Sequence, residues 1–137
     1  MMGTYKIIIV ENDEDEQFFM KESFDKVGLF DILAMLLNGD ALMDWLQAHP
    51  TQLPDVVLSD LNMPGKNGYE ILTEMKASPA YMHIPVIITS TSSTKAFFDK
   101  CLAFGAADYL VKPETFMEYE PYVTKLHRLI AEKELLK

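Results

Sequence analysis

The chain has 137 residues, a length that suits one domain closing one core. Hydrophobic residues make up 49% and charged residues 24%, a globular balance that excludes disordered and collagen-like chains. Twelve basic against twenty-one acidic residues leave a net charge of −9, which argues against direct nucleic-acid binding, because phosphate backbones are held by clustered Lys and Arg.

Lys6 to Val10 is an apolar run that predicts a buried strand, ending in the polar cluster Glu11-Asn12-Asp13. A helix is predicted from Glu14 to Val27. Its acidic first turn suits the positive end of the helix dipole, and Gly28 is its stop. Asp31 to Leu37 is the second strand, Asn38-Gly39-Asp40 a turn, and Ala41 to Ala48 a helix with Leu42, Trp45 and Leu46 at helical spacing. Pro50 and Pro54 lead into a third strand, Asp55 to Asp60, rich in β-branched and aliphatic residues. Met63-Pro64-Gly65 and Asn67-Gly68 make a loop before the third helix, Tyr69 to Lys76. The fourth strand is Pro85 to Thr89, the fourth helix Thr94 to Phe104 with Gly105 as its stop, and the fifth strand Asp108 to Val111. In the tail, Thr115 and Glu118 have capping-box spacing, yet Pro121 would then lie inside the helix. The expectation is a short turn over 115–120, with Pro121 opening the last helix and Tyr122, Leu126, Leu129 and Ile130 along one face.

Five strand–helix units with nearly continuous apolar strands predict an α/β fold: a doubly wound, five-stranded parallel sheet covered by helices on both faces. One domain over 1–137 is expected, its core spanning about 5–136. Cys101 alone excludes an internal disulfide framework and fits a reducing compartment. The longest aliphatic run, Ile32 to Leu37, falls far short of the ~20 residues of a membrane span, and the start lacks a signal-peptide apolar stretch. A cytoplasmic protein without a membrane partner is expected. Cys101 is expected to be buried and the nine Met to fill the core, while His49, His83 and His127, with no pair at ligand spacing, are expected at the surface or rim.

Parallel sheets of this kind bind ligands beyond the carboxyl ends of their strands. That rule singles out Glu11-Asn12-Asp13, Asp60, Ser90-Thr91 and Lys112. Carboxylates from two strand ends can hold a hard divalent cation through oxygen. A carboxylate is also a nucleophile toward phosphorus, giving an acyl phosphate. A nearby Lys neutralises the incoming phosphoryl group, and a Ser hydroxyl donates a hydrogen bond to it. Blander roles fit some of the same residues: Asp13 with Glu16 has capping-box spacing, and Ser90 opens a run suited to helix capping.

Four segments carry a resemblance: Ile-Ile-Ile-Val-Glu-Asn-Asp (7–13), Asp-Leu-Asn-Met-Pro-Gly-Lys-Asn-Gly (60–68), Ile-Pro-Val-Ile-Ile-Thr-Ser (84–90) and Gly-Ala-Ala-Asp-Tyr-Leu-Val-Lys-Pro (105–113). In this order and spacing, over essentially the whole chain, the sequence resembles the receiver domain of two-component response regulators. The resemblance implies a flavodoxin-like sheet of order 2-1-3-4-5. It implies that Asp60 is the phosphoacceptor and that Glu11, Asn12, Asp60 and the main-chain carbonyl of Asn62 surround Mg²⁺ or Mn²⁺. Ser90 matches the hydroxyl residue that moves toward the phosphoryl group, Lys112 the invariant lysine, and Tyr109 the aromatic whose rotamer reports the switch. The Lys112–Pro113 bond is a candidate cis peptide, and Gly68 matches the glycine that lets the preceding loop turn. Two positions depart from the family. Asn12 stands where an Asp is usual, with Asp13 expected to compensate electrostatically, and Thr91 stands where a small residue is usual and is expected to hinder water.

The function implied is that of a stand-alone phospho-accepting response regulator without an output domain, not a turnover enzyme. Its donor would be a histidine kinase or histidine phosphotransfer protein, and its output a protein contact with an unknown downstream partner. By the same resemblance that contact, or a homodimer, would use the fourth helix, fifth strand and fifth helix, where the helical arc predicts partly exposed Phe97, Phe98 and Phe104. Rival readings are weaker. Haloacid-dehalogenase-type hydrolases place their nucleophile after the first strand in Asp-x-Asp, whereas Asp60 follows the third and its partner is Asn62. A flavodoxin lacks support because no phosphate-cradling loop follows the first strand. A phosphorylation-independent receiver-fold adaptor has Asn12 as its support.

Overall fold

The computed structural model describes residues 4–133. They form β1 (Tyr5–Val10), α1 (Glu14–Val27), β2 (Phe30–Leu36), α2 (Gly39–Ala48), β3 (Val56–Asp60) and α3 (Gly68–Ala77). There follow β4 (Val86–Ser90), α4 (Lys95–Ala103), β5 (Asp108–Val111), a 3₁₀ turn (Phe116–Glu118) and α5 (Tyr119–Glu132). Side-chain caps set the starts of α1, α2 and α3. Asp13 accepts from the Asp15 and Glu16 amides, Asn38 accepts from Ala41, and Asn67 with Glu70 forms a reciprocal capping box on α3. Gly28 ends α1 at φ 75°, a left-handed conformation that a side chain resists.

The five strands are parallel, in the order β2-β1-β3-β4-β5, as the resemblance implies. Because side chains alternate along a strand, β1 serves both faces. Ile8 and Val10 pack with Leu42, Leu46, Leu72 and Met75 beneath α2 and α3, while Ile7 and Ile9 pack with Met20, Phe24, Val123 and Leu126 beneath α1 and α5. Register then aligns the chemistry. Val10 pairs with Ser59, Asp60 with Thr89 and Ser90 with Val111, so Glu11, Asp60, Ser90 and Lys112 reach one sheet edge. Among the described residues, no helix is long and apolar enough to cross a membrane.

Several expectations change. Pro121 is the third residue of α5, not the first, and is tolerated because the first four helical amides have no partner within the helix. Thr115 makes no capping box; its hydroxyl donates to the Glu118 carboxylate across the 3₁₀ turn. Glu16 likewise does not close a box on Asp13, since its carboxylate goes elsewhere. The Lys112–Pro113 bond is trans. Gly68 does not supply the turn, because the positive φ (75°) belongs to Gly65. What Gly68 permits is close approach: a Cβ there would lie 3.0 Å from Leu61 Cα and 3.1 Å from the Asp60 carbonyl oxygen. His127 is buried, its ring 5.0 Å from that of Tyr5 and 5.7 Å from that of Phe30, because the inward stripe of α5 includes position 127. Met20, Met43, Met63 and Met75 are core, but Met82 and Met117 are exposed. The last residues of the expected core, 134–136, lie outside the described residues.

Candidate functional site

Glu11, Asp60 and Lys112 meet at the carboxyl ends of β1, β3 and β5, and all three are buried. The Lys112 Nζ donates to Glu11 Oε1 at 2.7 Å and lies 2.9 Å from Glu16 Oε2 and 3.5 Å from Asp60 Oδ1. The second Glu11 oxygen, Oε2, accepts the Asp13 amide at 3.0 Å. Gln17 ties the neighbouring backbone together, donating to the carbonyls of Glu11 and Leu36.

Burial controls the charges here. Glu11 is pushed up from 4.5 to about 7 by desolvation, against the pull of Lys112. Asp60 is raised for the same reason, again opposed by Lys112. For Lys112, burial acts to lower the pKa, but the Glu11 hydrogen bond and the Asp60 charge outweigh it and hold the ammonium above its ordinary value. One firmly charged cation thus faces a carboxylate cluster. The arrangement favours an incoming divalent cation or phosphoryl group that meets the carboxylates and the ammonium respectively.

Ser90 is buried at the end of β4, its hydroxyl oxygen accepting the Ser92 amide at 3.2 Å. Tyr109 is also buried and donates its hydroxyl to the Ser92 carbonyl at 2.7 Å, with Phe98 edge-on to its ring at 6.0 Å. The loop after β4 is therefore fixed from both sides. Asn12, Asn62 and Thr91 are exposed at the rim. Asp13 is spent on capping α1.

The oxygen donors fit Mg²⁺ or Mn²⁺. Glu11 and Asp60 offer two carboxylates at adjoining strand ends, with the Asn12 amide and the Asn62 carbonyl as neutral oxygens. Among the described residues no three His, Cys, Asp or Glu form a ready metal cage. Mg²⁺ takes one or two carboxylates and keeps several waters, which the Glu11 and Asp60 pair can serve.

Three residues around the site carry no sequence signal of their own. Glu16 reaches Lys112, although Glu14, Asp15 and Glu16 look alike in the chain; of the three, only Glu16 is part-buried against the site. Tyr119 donates its hydroxyl to Glu16 at 3.1 Å, and Tyr122 donates to the Thr89 hydroxyl at 2.7 Å, which in turn donates to the Leu110 carbonyl. On the far side, Phe97, Phe98, Leu102, Phe104 and Val111 are 36–42% exposed, so α5 does not cover α4 as it covers α1.

The family model described as "Response regulator receiver domain" matches residues 7–123. The transcriptional regulatory protein MalR of Bacillus subtilis is 31% identical over 141 residues, covering 94% of this chain but 57% of MalR; the chain spans little more than half its length. The two-component response regulator ARR3 of Arabidopsis thaliana is 35% identical over 81 residues, covering 57% of this chain and 35% of ARR3. Among solved structures, the Mn²⁺-bound response regulator Rcp1 is 25% identical with a TM-score of 0.78, covering 97% of each chain. The phosphorylated cyanobacterial phytochrome response regulator RcpA, 24% identical with a TM-score of 0.80 and covering 92% of this chain and 93% of its own, shares the fold.

Proposed function

This chain belongs to the response regulator receiver domain family, and on that footing we propose that it accepts a phosphoryl group on Asp60 and signals by protein contact. The observation that carries the reading is the buried Asp60 carboxylate, 3.5 Å from an ammonium that Glu11 and Glu16 also hold.

In this mechanism an Asp60 carboxylate oxygen attacks the phosphorus of a phosphohistidine donor. An O–P bond forms, the P–N bond breaks, and the imidazole leaves with the electron pair. Lys112 shifts toward the phosphoryl oxygens and offsets their charge, while the Ser90 hydroxyl turns from Ser92 to donate to one of them. Mg²⁺ or Mn²⁺, held by Glu11, Asp60, the Asn12 amide and the Asn62 carbonyl, supplies further neutralisation of phosphoryl charge when bound. Ser90 is joined to Tyr109 through Ser92, so movement of Ser90 loosens the bond that holds the Tyr109 hydroxyl. Tyr109 packs against Phe98, and the change passes to the exposed α4–β5–α5 face.

The donor is a histidine kinase or histidine phosphotransfer protein, and the output is a downstream protein or a second copy docking on that face. Thr91, exposed beside Ser90, narrows the approach of water to the acyl phosphate. The test is intact-mass measurement after incubation with acetyl phosphate and Mg²⁺. Wild-type protein gains one phosphoryl mass and Asp60→Asn does not. Equal gain in the variant overturns the assignment. No gain in the wild type favours a phosphorylation-independent adaptor, the reading that Asn12 supports.

A further inference from the structure

The four consecutive acidic residues at the start of α1, Asp13 to Glu16, have three different fates. Asp13 caps the helix, Glu14 and Asp15 face solvent, and Glu16 turns in toward the sheet edge. Glu16 Oε2 lies 2.9 Å from Lys112 Nζ and accepts the Tyr119 hydroxyl at 3.1 Å, with its side chain 25% exposed. Tyr119 is buried at the start of α5, so a residue 103 positions away pins a carboxylate that helix propensity would leave in water. Lys112 is the cation at this edge, and it sits closer to Glu11 (2.7 Å) and Glu16 (2.9 Å) than to Asp60 (3.5 Å).

We propose that Glu16 is a positioning residue that holds the Lys112 ammonium back from Asp60 and thereby slows phosphoryl capture. The inference rests on Asp60 being the phosphoacceptor. A phosphoryl group on Asp60 presents anionic oxygens, and Lys112 must leave part of its present coordination to meet them. Glu11 has a second use as an oxygen donor toward a cation. Glu16 competes for Lys112 through a contact made before the phosphoryl group arrives, and its own charge repels that group. It stabilises the starting state and offers nothing to the phosphorylated one.

The experiment compares wild type, Glu16→Gln, Glu16→Asp and Tyr119→Phe at saturating Mg²⁺. Initial phosphorylation by acetyl phosphate is followed by intact mass, and affinity for beryllofluoride, a non-covalent phosphoryl mimic, by calorimetry. Glu16→Gln should be phosphorylated about threefold faster and bind beryllofluoride correspondingly tighter, the size expected for loss of a partly exposed ion pair. Glu16→Asp keeps the charge but is one methylene too short to hold the 2.9 Å contact with Lys112, and should shift both readouts in the same direction as Glu16→Gln, by less. Tyr119→Phe removes the pin alone and should shift both readouts the same way, by less. A Glu16 that merely supports the fold would, when replaced, weaken beryllofluoride binding. Unchanged or slower capture in Glu16→Gln overturns the inference, and so does wild-type behaviour of Glu16→Asp. Failure of the wild type itself to gain a phosphoryl group overturns instead the assignment of Asp60.

Discussion

Glu11→Gln offers a direct measure of how hard the site is to charge. In the folded protein the Glu11 carboxyl is raised from 4.5 to about 7, chiefly by burial. A raised folded-state pKa means that the protonated form is favoured on folding, so its contribution is fully present below pH 4.5 and is lost as pH rises through 7. Linkage over a rise of this size amounts to about 3 kcal/mol in full, most of which falls between pH 5 and pH 8. Gln keeps the shape and cannot ionise. It also weakens the hydrogen bond to Lys112, but Lys112 stays protonated throughout this window, so that loss is the same at both ends. Urea denaturation in EDTA at pH 5 and pH 8 should therefore show the stability of Glu11→Gln relative to wild type rising by about 2 kcal/mol between the two. A relative stability that does not change with pH refutes the argument, because it would mean that Lys112 and solvent already compensate the buried charge.

Other substitutions probe other parts of the fold. Asn12→Asp restores a formal charge beside Glu11 and should tighten Mg²⁺ about tenfold by titration, equal binding ruling out a role for the position. Thr91→Ala should shorten the lifetime of phospho-Asp60 without a partner present, an unchanged half-life removing Thr91 from the mechanism. Gly68→Ala drives a methyl to 3.0 Å from Leu61 Cα and should cost about 2 kcal/mol, read as a lower urea midpoint. Replacing Phe97, Phe98 and Phe104 with Ser should abolish beryllofluoride-induced association in sedimentation while leaving phosphorylation of Asp60 intact; persistent association would place the interface elsewhere.

The strands and helices were legible because period and punctuation are local. Ile7–Val10, Val56–Leu58 and Val86–Ile88 are apolar runs too short for helices, and Gly28 stops α1 where a left-handed residue is needed. The positions of Glu11, Asp60, Ser90 and Lys112 at strand ends followed from the same pattern, since parallel strands bring like ends together whatever their order. What tertiary structure decided are matters of direction and distance. Which of three similar acids in the first turn of α1 reaches Lys112 depends on which face of that helix is turned to the sheet, and on a tyrosine from the other end of the chain. That Gly68 is required by a neighbouring backbone and not by its own dihedral angles is invisible until Leu61 and Asp60 lie beneath it. His127 looked like a surface residue because a lone polar side chain on an amphipathic helix can sit on either side of its stripe. Packing of Tyr5 and Phe30 against it settled the side, for burial depends on what the rest of the chain places opposite.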